Sequence, residues 1–150
     1  MRLTQWTDYS LRVLMYCAVT KDRTRAPTVS EISQTHGISR SHLMKIVMTL
    51  AALGLVETTR GRGGGIRLLK SAEDIMVGDV LRQTETDFKM VECFDEELNS
   101  CRLNGFCRLK TALQAATDAY LATLDGITLA DLVSPPAIEQ GIAVRRPPRR

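Results

Sequence analysis

Residues 28–69, TVSEISQTHGISRSHLMKIVMTLAALGLVETTRGRGGGIRLL, constrain the fold more than any other part of this 150-residue chain. Thr28-Val29-Ser30-Glu31 has the T-x-x-E spacing that opens a helix, because hydroxyl and carboxylate can each satisfy a free backbone N–H. Gly37 follows His36 where a helix-ending glycine would sit. Ser39 or Ser41 then caps a longer helix reaching about Leu53. Its apolar residues Leu43, Ile46, Val47 and Leu50 recur at helical spacing, leaving Arg40, Ser41, His42, Lys45 and Thr49 on other faces. Residues 55–60 alternate as a strand and 66–69 read as its return, with the turn Gly61-Arg62-Gly63-Gly64-Gly65 between them. Short helix, glycine turn, longer helix and glycine-rich hairpin make a winged helix-turn-helix. GRGGG fits neither the Rossmann nor the P-loop spacing, and it joins strand to strand, so a phosphate-cradling loop is the weaker reading.

Such a domain lays its longer helix in the major groove of DNA. Arg40, Ser41, His42 and Lys45 are therefore candidates for base or phosphate contacts. Arg60, Arg62 and Arg67, on or beside the hairpin, are candidates for the narrow, electronegative minor groove. Charge supports a polyanionic partner for this half alone. Residues 1–70 hold eleven Lys and Arg against four Asp and Glu, whereas residues 71–134 hold five against twelve. Unevenly solvated surface is the plain alternative on charge by itself.

Around that domain, residues 9–19 read as a mostly buried first helix, capped by Thr4 or Thr7, with Asp8 in its first turn where a carboxylate complements the helix dipole. Residues 72–84 read as a short helix packing on the same domain. Residues 108–124 form a long helix with Leu109, Leu113, Ala116, Tyr120 and Leu124 along one stripe. That stripe is more apolar surface than its surroundings can cover, which points to pairing with the same helix of a second subunit; packing on its own domain is the alternative. Residues 128–133 add a helical turn or two, and 134–150, rich in Arg and Pro, lack the apolar content to fold. The expected organisation is a DNA-binding domain over 1–84, a cysteine loop over 85–107, a dimerisation helix with a short terminal helix over 108–133, and a disordered tail. The fold class is mainly α with a small β wing. No apolar run approaches the roughly 20 residues of a membrane span, and the N-terminus lacks the apolar core of a secretory signal. The expectation is a cytoplasmic protein with no membrane partner.

Cys93, Cys101 and Cys107 fall within the acidic stretch CFDEELNSCRLNGFC. In a reducing compartment such a triplet points to a metal centre. Thiolates suit zinc or an iron–sulfur cluster, and a structural zinc site wants a fourth Cys or His at short spacing. The two histidines lie in the helix-turn-helix, and Cys17 in the apolar first helix reads as buried and inert. An iron–sulfur cluster tolerates a non-thiolate fourth ligand better, and that ligand leaves one iron more open to attack. Structural zinc and a metal-free thiol redox sensor stay open.

MRLTQWTDYSLRVLMY, GISRSHLMKIVMTLAALGLVETTRGRGGGIRL and VECFDEELNSC with its two following cysteines resemble the Rrf-type winged-helix regulators that carry iron–sulfur clusters. The resemblance covers nearly all of residues 1–133 and is closest to the nitric-oxide-sensitive branch. It implies a homodimer with one [4Fe-4S] cluster per subunit, a [2Fe-2S] cluster being the alternative, near paired long helices. It also implies that the fourth ligand is Asp8 of the TDY triplet, donated by the partner subunit. An iron-responsive branch has Asn at that place, and a cluster-biogenesis branch uses a His shortly after its third cysteine, where this chain has Lys110. A purely capping role for Asp8 is the bland alternative. The resulting expectation is a repressor that binds a palindromic double-stranded operator and responds to nitric oxide. A regulator of the same family responding to iron or cluster supply is the runner-up, and from other classes a small iron–sulfur electron carrier or a zinc-stapled DNA-binding protein. No catalytic constellation is visible, so an enzyme is not expected.

Overall fold

The structure, a computed structural model, describes residues 2–61, 63–95 and 97–134. Arg62 and the Arg/Pro tail lie outside the described residues. Six helices and one hairpin follow in order: α1 (Gln5–Val19), α2 (Val29–His36), α3 (Arg40–Ala52), β1 (Val56–Thr59), β2 (Gly65–Leu68), α4 (Val77–Thr84), α5 (Arg108–Asp125) and α6 (Leu129–Leu132). Short 3₁₀ turns at Ala72–Asp74 and Glu92–Phe94 complete them.

The helix starts are set by hydroxyl caps. Thr4, Thr28 and Ser39 accept from the N–H groups of Thr7, Glu31 and His42, each satisfying a donor that the first turn would leave free. Only half of the expected capping box at Thr28 forms. Glu31 turns away and accepts from the Tyr16 hydroxyl at 2.9 Å and from Arg23 at 2.6 Å, tying α2 to α1 and to the connection before it. Gly37 ends α2 with φ 66°, the left-handed conformation that glycine adopts without steric cost, and the chain turns directly into α3.

α1 runs through the middle of the domain. Thr7, Ser10, Val13, Leu14, Cys17 and Ala18 are buried, recurring at three- and four-residue intervals. They meet Ile32 of α2, Leu43, Ile46 and Leu50 of α3, Ile66 of β2, Val80 of α4 and Leu129 of α6 in one core. The buried hydroxyls bond locally: Ser10 donates to the Trp6 carbonyl and Thr20 to that of Tyr16, both at 2.8 Å. The hairpin is antiparallel with Val56 opposite Leu68 and Thr59 opposite Gly65. Gly61 and Gly63 carry φ 93° and 83° in its turn, conformations open to glycine and costly for other residues. The other edge of β2 is stitched to the 20–27 connection, Ile66 N–H donating to the Pro27 carbonyl at 2.9 Å.

The expected helix over 72–84 is instead a 3₁₀ turn followed by α4. Between them Met76 bridges to Thr128, with Val77 N–H donating to the Ile127 carbonyl at 2.9 Å and Leu129 N–H to the Ile75 carbonyl at 2.8 Å. α6 thereby closes the core of the winged domain, although it follows the long helix in sequence. α5 leaves the domain from α4, to which Arg82 and Asp125 pin it by a two-pronged ion pair at 2.5 and 2.8 Å. Of its 18 residues only Thr117 is buried within the chain; Leu109 is exposed, and Leu113, Tyr120 and Leu124 are half-covered.

Two measurements follow from the core. Burial pushes the Cys17 thiol up to about 12, while Cys93, Cys101 and Cys107 are free and partly exposed. In metal-free protein at neutral pH, a thiol reagent should modify three cysteines quickly and the fourth only after denaturation; early labelling of Cys17 would contradict this packing. His36 packs edge-on against Tyr16, and its Nε2 is buried without a hydrogen-bond partner. Burial lowers the His36 pKa, the charge of Arg12 lowers it further, and Asp8 opposes the shift in part. The unfolded chain therefore takes up this proton first, so stability falls as pH drops through the ordinary histidine value of about 6.5. Urea unfolding between about pH 7.5 and pH 5.5 should show a smaller acid loss for His36→Phe than for the unaltered chain.

Candidate metal centre and nucleic-acid interface

α3 buries Leu43, Ile46, Val47 and Leu50. Its exposed residues are Arg40, Ser41, Met44, Lys45, Met48 and Ala52, which at 3.6 residues per turn form one outward arc. No acidic residue occurs anywhere on α3. Among the described residues no ion pair engages Arg40, Lys45 or Arg60, so those cations are free to meet an external anion.

Two of the sequence candidates have partners inside the protein. His42 lies at the edge of the arc, its ring 5.9 Å from that of Trp6 and 5.3 Å, edge-on, from that of Tyr9. Both aromatics belong to the first turns of α1, so His42 joins α1 to the start of α3. Arg67 points back from β2, its guanidinium donating to the carbonyls of Lys21, Arg23 and Thr24 at 3.3 to 3.4 Å. It holds the 20–27 connection against the wing. Sequence reasoning passed over Met44 and Met48, because apolar residues on a helix are read first as core. The signal was present: both fall outside the buried 43/46/47/50 stripe.

Asp8 stands on the same part of α1 as the aromatics that touch His42. Arg12, one turn on, reaches it with two hydrogen bonds, at 3.0 and 2.8 Å, and lies 5.8 Å from the centre of the Tyr9 ring. Both side chains are more than 40% exposed. An exposed pair at this spacing is worth only about 0.3–0.5 kcal/mol, so Arg12 offers little resistance to a metal competing for the carboxylate.

The cysteine segment is held by its own polar side chains. Glu92 accepts from the Ser100 N–H and hydroxyl at 2.6 and 2.7 Å, and Asp95 accepts from Lys89 at 2.5 Å and from the N–H groups of Glu97 and Leu98. These bonds lower the pKa of both carboxyls, Ser100 being the main cause for Glu92 and Lys89 for Asp95. Asn99 accepts from the Cys101 N–H at 3.0 Å. The Glu92 and Asp95 carboxylates are thus engaged in shaping the loop, and the three thiols are free. Cys93 sits in the 3₁₀ turn and Cys107 immediately precedes the first turn of α5.

Three free, partly exposed thiols on one short segment fit a soft metal centre by donor chemistry. Within the single chain they are not gathered with each other or with Asp8: among the described residues no group of three or more His, Cys, Asp or Glu side chains is assembled. One chain supplies donors of the right kind but not a closed set.

Comparison with known proteins agrees with this architecture. The family model described as "Rrf2: Iron-dependent Transcriptional regulator" matches residues 3–135. The HTH-type transcriptional regulator NsrR of Bacillus subtilis (strain 168) is 51% identical over 133 residues, 89% of this chain and 90% of that protein. The regulator of the same name from Geobacillus kaustophilus (strain HTA426) is 45% identical over a similar span, 89% of this chain and 90% of its own. Among solved structures, CymR, the global cysteine regulator of B. subtilis, superposes with a TM-score of 0.73 at 27% identity, covering 89% of this chain and 97% of its own. T. potens IscR shares the fold, with a TM-score of 0.74 at 24% identity over 93% and 91% of the two chains. The two NsrR relatives are transcriptional regulators and not enzymes, and no helix among the described residues is long and apolar enough to cross a membrane. With its helix-turn-helix, glycine wing and long C-terminal helix matched over nearly nine-tenths of its length, the chain belongs to the Rrf2 family of transcriptional regulators.

Proposed function

We propose that this chain is a homodimeric repressor that binds a palindromic operator while a [4Fe-4S] cluster is in place and releases it in response to nitric oxide. Cys93, Cys101 and Cys107 would hold the cluster, and Asp8 of the partner subunit would complete its ligands. When bound, the cluster supplies iron that reacts with nitric oxide, most readily at the carboxylate-ligated corner. Arg40, Ser41 and Lys45 of α3 would meet bases and phosphates in the major groove, and Arg60 with Arg62 would enter the adjoining minor groove. α5 would pair with its copy, covering the stripe that the single chain leaves half-exposed.

The observation that carries the reading is the packing of Trp6 and Tyr9 on His42. It couples the helix bearing Asp8 directly to the first turn of α3. With Asp8 held across the dimer, α1 is anchored to the other subunit and α3 is presented at a fixed spacing. On release, Asp8 returns to Arg12, and α1 with α3 is free to shift. Two states thus differ by one ligand bond, and a bias of a few kcal/mol between them is enough to change occupancy greatly. The 45–51% identity to NsrR proteins supports nitric oxide as the signal. The iron dependence in the family description favours a second reading, in which loss of iron empties the site and releases the same DNA.

Anaerobic titration with nitric oxide, following visible absorbance and operator binding together, tests both readings. Bleaching that coincides with DNA release is expected; a cluster indifferent to nitric oxide but lost to chelators, with DNA release, would select the iron-responsive reading. Asp8→Ala should still take up a cluster on three thiolates, yet bind DNA weakly whether or not nitric oxide is present; normal switching in that variant would sink the cross-subunit ligand. Arg40, Lys45 and Arg60 from two subunits make about six phosphate contacts, so affinity should fall about 10³-fold between 50 and 200 mM salt. Arg60→Ala should flatten that salt dependence.

A further inference from the structure

Met44 is 49% exposed and Met48 is 70% exposed, although both lie on a helix that buries four other apolar side chains completely or nearly so. They are four residues apart, one above the other on the same face. With Arg40 on one side and Ser41 and Lys45 on the other, they occupy the centre of the outward arc of α3. Cations flank the pair and no acid lies on the helix. An apolar pair framed in this way does not match a membrane or an apolar protein groove, which would need an apolar rim. It matches a surface that is polyanionic outside and carries isolated apolar groups within.

The major groove of B-DNA is such a surface. Base edges there present hydrogen-bond donors and acceptors that a thioether side chain cannot use well, and one prominent apolar group, the C5-methyl of thymine. Methionine is unbranched and has three rotatable bonds, so it can settle on a methyl whose position shifts with local DNA shape. The charged and hydroxyl groups of Arg40, Ser41 and Lys45 make hydrogen bonds, which the methyl cannot join, whereas the thioethers are apolar to their ends. We infer that Met44 and Met48 are specificity-determining residues of this chain that read thymine methyl groups in each operator half-site, an inference that rests on the operator-binding reading above.

The probe is a duplex obtained by selection with the cluster-loaded full chain from a randomised library of about 30 base pairs, long enough for two half-sites one helical turn apart. The selected duplex is resynthesised with each thymine replaced in turn by deoxyuridine, which removes the methyl and leaves every hydrogen bond in place. At least one thymine per half-site should weaken binding about fourfold on replacement, the effect of one buried methyl group. That penalty should disappear in Met44→Gln or Met48→Gln, exposed substitutions whose unchanged thermal unfolding would confirm an intact fold. Penalties below twofold at every thymine, or penalties that survive in both variants, would overturn the inference while leaving operator binding intact. Recovery of no preferred duplex from the library would instead overturn the repressor reading, and this inference with it.

Discussion

The burial of α1 is the constraint on which the rest of the molecule depends. Val13 and Leu14 are fully enclosed, and the stripe they belong to is covered by parts of α2, α3, α4, β2 and α6. Removing apolar surface of this kind from water is the main favourable term in folding. Here it also fixes the orientation of α3, because α3 can bury Leu43, Ile46 and Leu50 only by laying them on α1. Once that face is committed, Arg40, Met44, Lys45 and Met48 have no direction left but outward. The reading surface is therefore a by-product of where the core lies.

The same helix carries opposite demands on its two sides. Its buried side is apolar, or bears hydroxyls that bond to their own helix. Its other side shows Asp8 and Arg12, joined by an ion pair too exposed to be worth much. A strongly held carboxylate would be unavailable as a ligand; a weakly held one is ready. Between the two sides sit Trp6 and Tyr9, whose rings pack on His42 and tie the first turns of α1 to the first turn of α3.

The cysteine segment follows a different logic. It has almost no core of its own, with Leu98, Leu103 and Phe106 exposed, and its shape comes from short polar side chains bonding to nearby backbone. Such a loop leaves three thiols accessible and holds none of them in a finished cage. The half-exposed face of α5 next to it is incomplete in the same sense. On the homodimeric reading proposed above, a second copy of the chain would remedy both deficits.

Much of this was legible in the sequence because it rests on short-range chemistry. Caps at Thr28 and Ser39, the glycine after His36, the 3.6-residue stripe of α3 and the glycine turn of the wing act over a few residues, where local energetics decide the outcome. Cys17 was recognisable as buried from its neighbours. Tertiary structure alone decided the rest. Whether Glu31 closes a capping box or bonds to Tyr16 and Arg23 depends on how close α1 comes. Whether His42 and Arg67 face outward or engage other parts of the chain depends on elements far away in sequence, as does the return of α6 into the winged domain through Met76 and Thr128. The sequence by itself determined which elements form and which residue types they carry, since backbone caps and hydrophobic period are local. Only the packing of α1 decided which of those residues are left over for a partner, because a side chain is free only when nothing in the folded chain has reached it first.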